Sequence, residues 1–219
     1  MTLFNQLMLK PWEETGLTNQ ARRYSGSTKE ADKKVALKVF LGVIAVVFTL
    51  LIVAYAARMG YEDWRPGPEI KLLWINTAVL FITSIFFELT RYSIRQQKVN
   101  FFRISLLSAG FFTLLFLYGQ YQAWLQLDSM TYFKVTNPAI AFFYLITSLH
   151  GMHLIGGLAV WARTCLRIIS YSEISKIRQS IDLCALYWHF LFLVWLVLFG
   201  LLFTGNNLDY LLIMCGIKS

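Results

Sequence analysis

Three histidines stand out for their chemistry, because each lies inside a long apolar stretch. His150 and His153 fall in "LITSLHGMHLIGG", and His189 falls in "LYWHFLFLVWLVLFG". An imidazole can ligate a metal, carry a proton or hydrogen-bond a neighbouring group. His150 and His153 are three residues apart, so a helix would place them on one face. A haem held by two histidines needs ligands on opposite sides of its ring, and a pair on one face points the same way. Metal ligation and hydrogen bonding between helices are the two chemistries open here, and the spacing favours the second. Thr147, Ser148, Gly151, Gly156 and Gly157 share the stretch and would allow another helix to come close.

Glu88 is the one acidic residue set deep in an apolar stretch, three residues before Arg91. That spacing suits a local ion pair. A proton relay is the sharper alternative, since ionisable groups at membrane depth are costly and mark function. Gln120 and Gln122, beside Tyr121 and Trp124, read as an interfacial and partly solvated cluster. The signatures of soluble enzymes, such as GxGxxG, a phosphate-binding GxxxxGK[ST], HExxH or GxSxG, are missing.

The elements that must hold these residues follow from composition. Of the 219 residues, 57% are hydrophobic, 16% aromatic and 15% charged, against about 25% charged in a soluble domain. Crossing about 30 Å of hydrocarbon takes about 20 apolar helical residues. Five stretches qualify, roughly 35–58, 71–94, 101–127, 137–163 and 180–204. Lipid offers no partner to free backbone groups, so each stretch must be a helix. The expected fold is an all-α bundle of five transmembrane helices over 35–204, with an N-terminal segment (1–34) and a short tail (205–219). Counted along the helices, His153 and His189 should sit at similar depth on antiparallel neighbours.

Basic residues orient the bundle, because Lys and Arg of short loops stay in the cytoplasm. Seven lie between Lys10 and Lys38, four between Arg91 and Arg103, and four between Arg163 and Arg178. Only Arg58, Arg65, Lys71, Lys134 and Lys218 remain for the other side. The N-terminus is expected inside and the C-terminus outside. The net charge of +8 then reflects topology and not an affinity for nucleic acid. The N-terminal residues lack the apolar core and cleavage site of a signal peptide. Cys165, Cys184 and Cys215 show no metal-site or disulfide spacing and read as apolar fillers.

The two histidine stretches, in this order on adjacent spans, resemble subunit III of haem–copper terminal oxidases. "LLWINTAVLFITS" strengthens the likeness, with Asn76 and Thr77 in the places of that family's asparagine and threonine. The resemblance covers about residues 35–204. Its motif residues here are Asn76, Thr77, His150, Gly151, His153, Gly157, Tyr187, Trp188, His189 and Trp195. Larger members have seven helices, a pair and a group of five with lipid between them, and this chain resembles the group of five. The family often carries a glutamate in its first span of that group, where this chain has Ile44 in "FLGVIAVVF". Phe192 likewise stands where mitochondrial members tend to have an acidic residue.

The resemblance implies a chain with no catalytic residue, no haem and no metal of its own, although it is compatible with a bound phospholipid. Haem and copper would reside in partner subunits. The chain would pack mainly on subunit I, with subunit II and small subunits also in the complex, in a bacterial inner membrane. It would support proton uptake and protect the oxygen-reducing site during turnover. Three readings stand beside this one. In the first the complex is a quinol oxidase, because other subunits read the electron donor. In the second the chain is an independent haem or metal protein. The third is a transporter, against which the spans offer neither several midplane charges nor broken helices.

Overall fold

The computed structural model describes residues 18–65, 70–96, 98–131, 137–169 and 174–204. The expected tail at 205–219, with Cys215, lies outside the described residues. Five helices are present: α1 (Thr18–Arg58), α2 (Leu72–Arg95), α3 (Val99–Thr131), α4 (Pro138–Ile169) and α5 (Ile174–Thr204). Each is long and apolar enough to cross a membrane, and no strand occurs among the described residues. The fold is therefore the expected all-α, multi-pass bundle. One difference concerns α1, whose helix runs back to Thr18, well before the expected start of the span. Its apolar portion begins at Val35, the expected start of the span, after the charged Asp32, Lys33 and Lys34.

Residues up to Val39 and residues from Phe40 onward cluster as two separate units. In the second unit the core is built from residues three and four apart, the spacing that keeps one helix face against a partner. On α2 these are Leu73, Asn76, Leu80, Thr83, Phe87 and Thr90. On α3 they are Phe102, Leu106, Ala109, Thr113, Phe116, Gln120, Ala123 and Leu127, and on α5 Ile181, Cys184, Trp188, Leu191, Trp195 and Leu198. These faces close a ring of four helices. α2 packs most extensively on α3, then on α5, while α4 packs on α5 and, less, on α3.

Many core positions are hydroxyls, and their burial has a local explanation. Thr83 bonds the carbonyl of Val79, Thr90 that of Phe86, Thr113 that of Ala109 and Thr164 that of Val160, at 2.7–3.0 Å. Each hydroxyl is satisfied by its own helix four residues back, so it enters the apolar core without needing a neighbour.

Within the core, bonds between helices come instead from aromatic tips. Trp161 Nε1 on α4 donates to the Leu106 carbonyl on α3 (2.9 Å), and Tyr144 Oη donates to the Trp124 carbonyl (3.2 Å). Indole and phenol suit this task because one end is apolar and the other polar. α4 begins on an N-cap: Asn137 Oδ1 accepts from the Ala139 N–H (3.1 Å), with Pro138 at the first helical position. Asn137 Nδ2 also donates to the Arg65 carbonyl (2.8 Å), tying the start of α4 to the segment before α2.

The Phe40–Arg58 part of α1 is attached differently. Its buried stripe is Leu41, Ile44, Phe48 and Tyr55. Phe48 meets the rings of His150 and His153 (centroids 6.3 and 5.6 Å), Tyr55 meets Phe142 (5.7 Å), and Phe40 stacks on Tyr187 (6.4 Å). Among the described residues, no hydrogen bond joins this part of α1 to another helix.

Candidate functional site

Two polar groupings tie the four-helix ring, one along the partly open seam of α2 and α5 at the Arg95 end of α2 and one in the interior towards its Leu72 end. The first joins α2 to α5. His189 on α5 is within 2.5 Å of Ser84 Oγ through Nδ1 and 3.2 Å from Glu88 Oε2 through Nε2. With Nε2–H donating to the carboxylate, Nδ1 of a neutral ring accepts from the serine hydroxyl, so both ring nitrogens are used. Glu88 also pairs with Arg91 (2.9 Å), the spacing seen in the sequence, and Arg91 Nε donates to Asp182 on α5 (3.0 Å). Arg95 approaches the same aspartate at 4.0 Å. The result is one chain of charged and polar groups, Ser84–His189–Glu88–Arg91–Asp182, with three links across α2 and α5. Its groups stay partly open: the Glu88 side chain is 58% exposed and that of His189 35%.

The second grouping lies among α2, α3, α4 and α5. Trp195 Nε1 donates to Thr77 Oγ1 (3.0 Å), and that hydroxyl donates in turn to the Leu73 carbonyl (2.8 Å). Trp124 and Thr147 repeat the device, with Trp124 Nε1 donating to Thr147 Oγ1 (3.0 Å) and Thr147 donating to the Phe143 carbonyl (2.7 Å). The Trp195 ring lies 5.1 Å from that of His150 and 4.9 Å from that of Phe116. Asn76 is buried against Gly119, where an added Cβ would come within 2.1 Å of its Oδ1.

The motif residues of α4 and α5 divide between these groupings. Tyr187 Oη donates to the His153 carbonyl (2.8 Å), which puts these residues at one level on adjacent helices. The Tyr187 ring presses on Gly157, where a Cβ would stand 2.7 Å away. Trp188 stacks on Phe87 at 5.1 Å. Gly151 has only Leu117 near it, at 3.9 Å, and Gly156 faces open space. Among the described residues, the tightest glycine contacts are at Gly110, 2.1 Å from Trp161, and Gly119, both on α3, where the sequence reading did not look. Ile44 sits buried on the contact stripe of α1, and Phe192 meets Phe81 at 5.8 Å.

Three expectations need correction. The His153 imidazole does not bond an adjacent span: its Nδ1 pairs with the Leu149 carbonyl of its own helix (2.8 Å), and only the backbone carbonyl of His153 is met from α5, by Tyr187. His150 makes no hydrogen bond to another helix either. It is fully buried among the rings of Phe48, Phe116 and Trp195, and neither ring nitrogen has a partner among the described residues. Gln120 is not part of a solvated rim, being 4% exposed on the inward stripe of α3. The sequence reading also missed Asp182, which lies one to two turns before the α5 motif.

As a donor set, the three imidazoles do not converge. His189 has both nitrogens engaged, His153 has Nδ1 engaged, and His150 is enclosed by aromatic rings. Among the described residues, no three side chains of His, Cys, Asp or Glu gather at metal-binding distance.

Comparison with known proteins bears on the same helices. The model of the family "Cytochrome c oxidase subunit III" matches residues 57–205, which contain α2 to α5. "Cytochrome c oxidase subunit 3" of Thermostichus vulcanus is 28% identical over 172 residues, covering 76% of this chain and 84% of that protein. The protein of the same name from Synechocystis sp. is 27% identical over 170 residues, 75% of this chain and 72% of its own length. The one from Tetraodon nigroviridis is 30% identical over 135 residues, 60% of this chain, and the chain spans about half (48%) of its length. With two thirds of its length matched and the motif residues set on three helices of the ring, α2, α4 and α5, the chain belongs to the cytochrome c oxidase subunit III family.

Proposed function

We propose that this chain is an accessory, non-catalytic subunit of an aerobic respiratory haem–copper oxidase that reduces oxygen and pumps protons. In this reading it packs on subunit I, prolongs the enzyme's active life and supports proton uptake. The observation that carries it is the family match over α2–α5. The broad apolar faces of the spans add support: Phe81, Ile85, Phe111, Leu114, Ile155 and Leu193 all point outward and suit a neighbouring helical subunit or lipid. Haem and copper belong to the partner subunits in this reading, and the unconverged imidazoles support that assignment. The Glu88 chain is a proton-exchange site only if it meets a proton path in a partner, and otherwise it is a clamp between α2 and α5.

The test is a time course of oxygen consumption by the complex with and without this chain. The expected outcome is normal haem spectra and a substantial initial rate in the stripped complex, followed by faster inactivation. Immediate, complete loss of activity with intact haems would overturn the accessory role, and an unchanged lifetime would overturn the protective one. The proposed placement is a bacterial inner membrane with the N-terminus in the cytoplasm. Reporter fusions after Lys98 and Lys134 should then report cytoplasm and periplasm respectively, and the reverse pattern would refute it.

A further inference from the structure

The interior of the ring holds polar atoms that the protein itself leaves unserved. Asn76 Nδ2, both Gln120 amide atoms and both His150 ring nitrogens are buried with no hydrogen-bond partner among the described residues. These three side chains are at most 4% exposed. They come from α2, α3 and α4, yet the contacts place them in one neighbourhood. Asn76 rests on Gly119, the residue before Gln120. One turn along the α3 stripe, Phe116 touches the rings of His150 (6.0 Å) and Trp195 (4.9 Å). Trp195 in turn bonds Thr77, the residue after Asn76. On the other side of Gln120, Trp124 bonds Thr147, one turn from His150.

Leaving so many polar atoms dry in an apolar core costs free energy at each one. The same core shows the alternative, because its threonines bond carbonyls of their own helices and its tryptophans bond those threonines. Gln120, Asn76 and His150 have no such outlet. Their inventory is complementary to water: two amide NH₂ groups and one imidazole N–H offer donors, while Gln120 Oε1 and the second imidazole nitrogen offer acceptors. A buried water needs two to four polar partners, and this group supplies them from three helices.

We propose that Asn76, Gln120 and His150 form an internal hydration site, with one or two ordered waters bridging α2, α3 and α4. Water accepts from the amide N–H groups and donates to Gln120 Oε1 and the free imidazole nitrogen. The site makes His150 a link between helices after all, through water and not by direct contact. It rests on the contacts of this chain alone and holds whether or not the oxidase reading does.

The test is a high-resolution map of the full-length chain in whatever complex it is isolated with, read beside thermal melts of Gln120→Leu, His150→Phe and the double variant. The expected map shows water density at about 2.7–3.2 Å from at least two of the three side chains. Each single substitution strands polar atoms on the other side chain and lowers the melting temperature. The double variant should lose less than the sum of the two, because the stranded partner is gone as well. A map with a direct side-chain bond between Gln120 and His150 or Asn76 and no water would overturn the proposal. Strictly additive melting shifts would do the same. If a variant fails to fold, the map of the unaltered protein decides alone.

Discussion

The ring α2–α5 and the Phe40–Arg58 part of α1 solve one problem in different ways. Between helices in lipid there is little hydrophobic drive, so association depends on packing and interhelical polar contacts. The ring uses both, with seams of three-and-four spacing reinforced by indole, phenol and ion-pair links. The Phe40–Arg58 part of α1 uses packing alone, through the buried Leu41 and Ile44 and the rings of Phe40, Phe48 and Tyr55. The match to the family falls on the same divide, since it begins at residue 57, where α1 ends. The ring is thus stitched by polar links as well as packed, whereas the Phe40–Arg58 part of α1 is packed only.

The largest test of this contrast substitutes glycines. Gly110→Ala places a methyl against the Trp161 ring, which its bond to Leu106 holds in place, so overpacking should cost about 1–3 kcal/mol. Gly42→Ala on α1 meets nothing within 4 Å and should leave the melting midpoint of the purified chain unchanged or slightly raised. Equal shifts for the two would erase the distinction.

Next in size is Arg91→Ala, which removes the cation shared by Glu88 and Asp182. A loss of about 1 kcal/mol is expected for a partly exposed pair, read from the same melts. Disulfide trapping between cysteines introduced on α2 and α5 near this end should also become less uniform. No change in either measurement would reduce the clamp to ornament.

Phe48→Ala should act on α1 alone. Loss of its edge contacts is worth about 1 kcal/mol, and it should appear as faster proteolysis of the segment joining α1 to α2 with the main melting transition unmoved. A drop in that transition would mean that α1 is part of the cooperative core.

The smallest effect belongs to the turn after α1, where Arg58 forms a forked pair with Asp63. The hydrogen bond from Arg58 holds the Asp63 carboxyl below the usual carboxylate range. Its contribution is therefore complete above the ordinary aspartate pKa and lost as pH falls through the lowered value. Trp64 fluorescence should be flat from neutral pH through the ordinary carboxylate range and change only below it. Asp63→Asn should remove that step.

Much of this arrangement was legible in the sequence, for reasons that also explain the misses. Five spans followed from length and apolarity, because the bilayer leaves no other solution. The level of His189 followed from rise per residue, but its direction did not: it turns to Ser84 and Glu88 on α2, away from His153. Gln120 was misread because position along a helix says nothing about which face a residue occupies. The signal was present, since Gln120 continues the Phe102, Leu106, Ala109, Thr113, Phe116 series. Asp182 escaped notice because it lies near the start of the expected span 180–204, where acids are ordinary. Only its pairing with Arg91 across helices gives it weight.

The threonines that bond back to their own helices have a consequence for biogenesis. A span whose hydroxyls are already satisfied carries little polar debt into the bilayer, so each can leave the insertion machinery singly, before any neighbour exists. The indole and phenol links cannot form until two spans meet. Insertion is thereby separated from assembly, and a lesion in Trp161 or Trp195 should strike the meeting of the spans while leaving the entry of each one untouched.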